Sequence, residues 1–246
     1  MEPLFGHNIR QAELTEFEFV ICLLLTSNPI LPQNIFCSGT LISHKFILTA
    51  DHCFLNLPES GFQIHLGSIN IYNGTTHFAQ WWITYTQWTI SKNKNRRYRD
   101  NDIAILKLII DATQITPAVV SSVPHKNVVG ADAEIAGWGR RNNGEMAIIM
   151  ETVKLKIISN KECSELGTML QQKRFFVTHA EICSIAHPFA HLESGDSGGP
   201  LLIGDVIIGV NIGKCPDLNG TFNAEKANIH ASVYFYRHFI VDATQQ

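Results

Sequence analysis

Gly195-Asp196-Ser197-Gly198-Gly199-Pro200 is the stretch that decides the reading of this chain. A hydroxyl flanked by glycines sits on a tight turn, with an acid directly before it. An unactivated serine is a poor nucleophile and needs a base. Upstream, Thr49-Ala50-Asp51-His52-Cys53 offers an imidazole at the end of an apolar run. Between them, Asp102-Ile103-Ala104-Ile105-Leu106-Lys107-Leu108 offers a carboxylate at the start of another. Base, orienting acid and nucleophile in the order His, Asp, Ser are the set that acyl transfer at neutral pH requires. The glycines let the backbone turn so that N–H groups aim at a developing oxyanion.

These three motifs together resemble the chymotrypsin/trypsin-like serine endopeptidase family, and the resemblance runs over roughly residues 12 to 242. It implies an all-β fold of two packed six-stranded barrels with a C-terminal α-helix and the active site in the cleft between them. The N-terminal barrel would take residues 1–117 and the second barrel 118–246, with the crossover in Asp111 to Pro124. It implies that His52 is the base, Asp102 its orienting acid, Ser197 the nucleophile, and the amides of Gly195 and Ser197 the oxyanion donors. Asn101 beside Asp102 fits the same pattern. Without the resemblance, Asp102 reads as a strand-initiating acid paired with a cation such as Arg99. Disulfides Cys37–Cys53 and Cys163–Cys183 are implied as well, and Ala136-Gly137-Trp138-Gly139 matches a structural strand of the second barrel.

The residues themselves support a β-rich reading. Thr40 to Ala50, Gln63 to Gly67, Ile103 to Ile110, Ala133 to Ala136, Val153 to Ile158, Leu201 to Ile203 and Val206 to Ile212 are apolar or alternating runs rich in β-branched residues. Phe19 to Leu25 has strand length. Gly204-Asp205 marks a hairpin and Asn142-Asn143-Gly144 a turn. Only the end reads as helical, with Val233, Tyr236 and Ile240 on one face.

Composition narrows the function classes. With 246 residues, 45% hydrophobic and 17% charged, the chain is globular and large enough for a substantial core. A net charge of −3 gives no reason to expect nucleic acid. No apolar run approaches the roughly 18 residues of a membrane span. No secretion signal is visible, which reads as a chain lacking its upstream end. Extracellular features are nonetheless present: sequons at Asn73 and Asn219, and six cysteines without metal or redox spacing. The expectation is a secreted glycoprotein. Cys22 and Cys215 have no assigned mates. Pairing with each other, remaining thiols and pairing with another chain all stay open. No cofactor is expected. His187 and His191 share a four-residue spacing, but Pro188 breaks any helix there, so no metal site is expected either.

Three departures from the family stand out. The usual Ile-Val-Gly-Gly terminus, whose α-amine pairs with the acid before the nucleophile, is replaced by Leu4-Phe5-Gly6-His7-Asn8-Ile9. Aligning Ala12 puts Gly6 at the expected terminus, leaving Asp196 without its partner, so the chain as it stands is expected to be nearly inactive. The pocket-floor position is His191, and Asn211-Ile212-Gly213 and Asn228 replace the usual pocket edge and wall. That set argues against Arg or Lys specificity. It suggests a small, polar or acidic residue before the scissile bond, with His191 as its partner. The usual cysteine four before the nucleophile is Glu193. The basic run Lys92 to Arg99 reads as a solvated loop at the cleft rim, and less readily as an exosite for an acidic partner. Two functions follow. One is an endopeptidase acting on protein or peptide substrates, with protease inhibitors and cascade proteases as further partners. The other is a silent or zymogen-like homologue acting as a binding module in a proteolytic cascade.

Overall fold

The computed structural model describes residues 5–55, 57–58, 61–94, 101–216 and 222–245. The first sheet orders Thr75–His77, Phe62–Leu66, Val20–Leu25, Ile35–Leu41, Phe46–Thr49, Ala104–Leu108 and Ala79–Thr84 as neighbours. The two end members are one stretch of chain interrupted at Phe78. The sheet therefore closes on itself as a barrel of six strands, which removes both exposed edges. Val20–Leu25 is buried on both faces, which is why it reads as a continuous apolar run.

The second sheet joins Val206–Cys215, Pro200–Ile203, Asp132–Gly137, Glu151–Ile158, Glu181–Ile185 and Ala227–Ser232. Ala227–Ser232 pairs back onto Val206–Cys215, closing a second six-stranded barrel. Within the crossover, Val119–Val120 lies parallel to Val206 and Ile207. The expected double barrel is thus observed.

Each chain end reaches across to the other barrel. Arg10–Gln11 pairs with Glu151 and Thr152. The helix Arg237–Ala243 sets Phe239 against Tyr85 and Trp88 of the first half, and Trp88 Nε1 donates to Asp242 Oδ2 at 2.6 Å. Trp138, fully buried, donates from Nε1 to Ile69 O at 2.8 Å. These ties hold the two barrels together.

Local readings differ from the structure in three places. Thr40 to Ala50 is a hairpin and not one strand, because Ser43 Oγ accepts from Phe46 N at 3.1 Å and turns the chain. Two more helices, Tyr85–Ser91 and Asn160–Gln171, carry capping boxes at Thr84/Gln87 and Ser159/Glu162. That Ser-x-x-Glu signal was legible. The terminal helix begins at Arg237, so Val233 and Tyr236 are buried ahead of it rather than on its face.

Candidate active site

His52 lies in a short 3-10 turn, Asp51–Phe54, that follows strand Phe46–Thr49. Both oxygens of Asp102 engage it. Oδ1 accepts from His52 N at 2.9 Å, and Oδ2 lies 2.6 Å from Nδ1. The carboxylate therefore fixes where the imidazole stands and which nitrogen carries its proton. Burial opposes charge on His52, but the Asp102 hydrogen bond and the charges of Asp102 and Asp51 outweigh it and raise its pKa. Asp51 is itself pushed up to about 6, by burial and by Asp102. The neighbouring Asn101 is buried and accepts from Tyr236 Oη at 3.1 Å, which anchors the Asp102 segment to the chain's end.

Ser197 reaches this pair through the backbone. Ser38 N donates to Ser197 O at 2.7 Å, and Ser38 Oγ donates to Gly195 O at 2.8 Å. Ser38 adjoins Cys37, whose disulfide to Cys53 ties down the residue after His52. Gly198 makes the approach possible. Its φ is +82°, and a Cβ there would stand 2.2 Å from Thr49 Oγ1 and 2.3 Å from Ser38 O. No hydrogen bond joins His52 Nε2 to Ser197 Oγ among the described residues, a looseness common before substrate binds. Among the same residues the amides of Gly195 and Ser197 have no intrachain acceptor.

Asp196 is 1% exposed. Its Oδ1 accepts from Gly139 N at 2.9 Å and its Oδ2 from Glu193 N at 3.0 Å. Burial pushes its pKa up to about 7, against the pull of those amides, with Glu151 and Glu193 adding repulsion. Among the described residues no cation pairs with it. The aligned Gly6 N is a peptide amide that donates instead to Asn142 Oδ1 at 3.1 Å, while Asn142 Nδ2 returns a bond to Gly6 O at 3.2 Å. Phe5–Gly6 pairs with Ala190–His191, and Phe5 packs against Phe189 and Phe222. The Asn142 clamp was not foreseen; the Asn-Asn-Gly turn was read only as a turn.

Of the residues expected to line the substrate pocket, His191, Asn211 and Asn228 are buried, the last two on neighbouring strands. Asn228 is buried and bridges to the segment before Glu193, its Oδ1 accepting from Leu192 N and its Nδ2 donating to Ala190 O, both at 2.8 Å. His191 is 2% exposed, with Nε2 3.1 Å from Lys226 O. Burial lowers its pKa, and Lys214 and Lys226 oppose its charge further. Asn211 is buried against the nucleophile turn. Gly213 lies on the same strand with a φ of +151°, a backbone conformation that favours glycine. Where the family pattern would place a cysteine, Glu193 instead forms an ion pair with Lys214.

Of the other expected positions, Asn73 is exposed on a turn. Asn219, Arg99 and most of the basic run lie outside the described residues. Within that run, Lys92 pairs with Asp242 and Lys94 sits over the Trp88 ring. Ligand atoms of Cys37, His52 and Cys53 lie within 4.8 Å of one another, but both sulfurs are spent in the disulfide and offer no thiolate. The second disulfide joins Cys163 and Cys183, and Cys22 and Cys215 are buried thiols. Burial raises the pKa of both, that of Cys215 to about 12. Non-reducing peptide mapping is expected to return those two links. Iodoacetamide on the folded chain should leave Cys22 and Cys215 unmodified until denaturant is added. A Cys163–Cys215 link would contradict the Cys163–Cys183 pairing.

A trypsin family model matches residues 7–240. Similar curated proteins include brachyurin of Leptuca pugilator, 31% identical over 179 residues, covering 71% of this chain and 74% of that protein. Kallikrein-4 of Homo sapiens is 26% identical over 190 residues, covering 76% and 70% respectively. Among solved structures, neuropsin, a serine protease expressed in the limbic system of mouse brain, superposes with a TM-score of 0.75 at 19% identity. That likeness covers 96% of this chain and 99% of neuropsin, and it shows the fold.

Proposed function

Because this chain belongs to the trypsin family of serine endopeptidases, we propose that it hydrolyses peptide bonds through an acyl-enzyme with His52, Asp102 and Ser197 as its triad. The observation that carries this reading is the double contact of Asp102 with His52, next to strand Ile35–Leu41, whose Ser38 holds the Ser197 turn and whose Cys37 is bonded to Cys53. With Nδ1–H held by Asp102, the bare Nε2 takes the Ser197 proton as Oγ attacks the substrate carbonyl. The amides of Gly195 and Ser197 receive the oxyanion. Collapse breaks the C–N bond, and Nε2–H gives its proton to the leaving amine. Water, deprotonated by the same Nε2, then releases the acid and restores the serine.

The proposed specificity is for a small, uncharged residue before the scissile bond. Asn228 occupies the space a long side chain needs, and the buried His191, reluctant to protonate, is a poor partner for a carboxylate. Proteins are the substrates of this family and inhibitors bind its members; secretion and glycosylation at Asn73 fit the reading. The proposed barrel bounds are 1–117 and 118–246. One observation favours a second, zymogen-like reading: the buried Asp196 has no cationic partner among the described residues.

A fluorophosphonate probe tests the choice. Slow labelling of the chain, lost in Ser197→Ala, is the expected result. Wild type that never labels would leave the binding-module reading. A peptide library should show weak cleavage after Gly, Ala or Ser. Strong cleavage after Arg or Lys, abolished by Ser197→Ala, would overturn the pocket reading.

A further inference from the structure

Three fully buried polar side chains line up across neighbouring strands of the second barrel: Ser184, His230 and Asn211. Asn211 stands directly opposite His230, and Ser184 is diagonal to it, opposite Asn228. Cross-strand neighbours of this kind are within side-chain reach. Ser184 Oγ is 2.8 Å from His230 Nε2, and His230 Nδ1 is 2.8 Å from Asn211 Oδ1. Asn211 Nδ2 then donates to Asp196 O at 3.3 Å.

With His230 neutral, only one assignment of hydrogens satisfies the whole line. Asn211 uses its NH2 on Asp196, so its Oδ1 must accept, and His230 Nδ1 must carry the proton. A neutral His230 then presents a bare Nε2, which accepts from the Ser184 hydroxyl. Every group is paired and none is charged, as a buried network needs to be. Burial, aided by His125, holds the pKa of His230 near about 3, consistent with that neutral form.

The line ends on the turn that carries Ser197. The backbone of Asn211 grips it as well: Gly198 N donates to Asn211 O at 2.7 Å, and Asn211 N donates to Gly199 O at 2.8 Å. Asn211 thus holds Asp196, Gly198 and Gly199, the residues on either side of Ser197. We propose that Asn211 and His230 are positioning residues, with the Ser184–His230–Asn211 line setting the aim of the Ser197 hydroxyl and amide. This goes beyond the proposed triad and rests on Ser197 being the nucleophile.

The test pairs an activity-free readout with a kinetic one. Nitrogen-15 NMR of the wild-type chain should show His230 protonated at Nδ1 and bare at Nε2, unchanged from about pH 5 to 8. In His230→Phe, which keeps a ring and cuts both bonds, exchange of the Gly198 and Gly199 amides should accelerate about tenfold. Amides of the distant strand Phe62–Leu66 should keep their rates. Ser184→Ala, a milder cut, should give the same local pattern more weakly if His230→Phe does not fold. The fluorophosphonate labelling rate should fall as local exchange rises, and kcat should fall more than KM rises. An Nε2-protonated ring, or exchange that accelerates uniformly or not at all, would overturn the proposal. Wild type that resists labelling while the NMR and exchange results hold would instead remove the catalytic reading and leave the positioning line standing.

Discussion

Asp102→Asn is expected to reduce fluorophosphonate labelling and peptide hydrolysis by about 10^4, the order of loss established for this triad in the family. The side chain keeps its shape, so the fold should survive. One oxygen accepts from His52 N and the other faces Nδ1. An amide that keeps the first bond must turn its NH2 toward Nδ1. The imidazole then flips to the tautomer with Nε2–H, which points a proton at Ser197 and cannot take one. The pH dependence changes too. In wild type the pKa of His52 is raised, so activity falls as pH drops through a value above the usual 6.5. In the variant the opposing burial is no longer outweighed, and any residual activity should persist to lower pH. The check is the second-order labelling rate across pH, with His52→Ala as the reference for complete loss. Activity within tenfold of wild type would remove Asp102 from the triad.

Asp196→Asn is expected to gain stability relative to wild type by about 4 kcal/mol between roughly pH 4 and 8. The folded carboxyl has its pKa raised from 3.8 to about 7. Between those values the folded chain binds more protons than the unfolded one. Wild-type stability from this group is therefore full below the unfolded value and is lost as pH rises through about 7. Asparagine stays neutral throughout, and its fixed hydrogen-bonding deficit cancels when the two ends of the range are compared. Urea unfolding with disulfides intact gives the gap at each pH. A flat gap, or one that moves toward wild type as pH rises, would show that a cation meets Asp196 after all. That cation would be the partner an active family member supplies as an α-ammonium, and its appearance would favour an active chain over a zymogen-like one.

How far each feature was legible follows the range of the interaction behind it. Alternating apolar runs mark strands, because side-chain direction repeats every second residue whatever the partner strand. Two turns, Gly204-Asp205 and Asn142-Asn143-Gly144, were readable for the same local reason, and Gly204 and Gly144 take positive φ. Ser43 was not read as a turn-former inside Thr40 to Ala50, although its bond to Phe46 is local. The two capping boxes were equally local and equally overlooked.

The sequence alone determined the residues available for chemistry: His52, Asp102 and Ser197 in order, the cysteines of both disulfides, and a pocket without a fixed negative charge. Only the tertiary structure decided how they are used. Closing the first sheet brought Asp102 onto His52 across 50 positions of chain. Packing the barrels let Ser38 catch Ser197. Strand register bonded Asn228 to Leu192, set His191 against Lys226 O and joined Ser184, His230 and Asn211 into one line. A single chain read along its length shows which groups exist. It does not show which of them lose water together, and that loss decides a partner, a tautomer or a pKa.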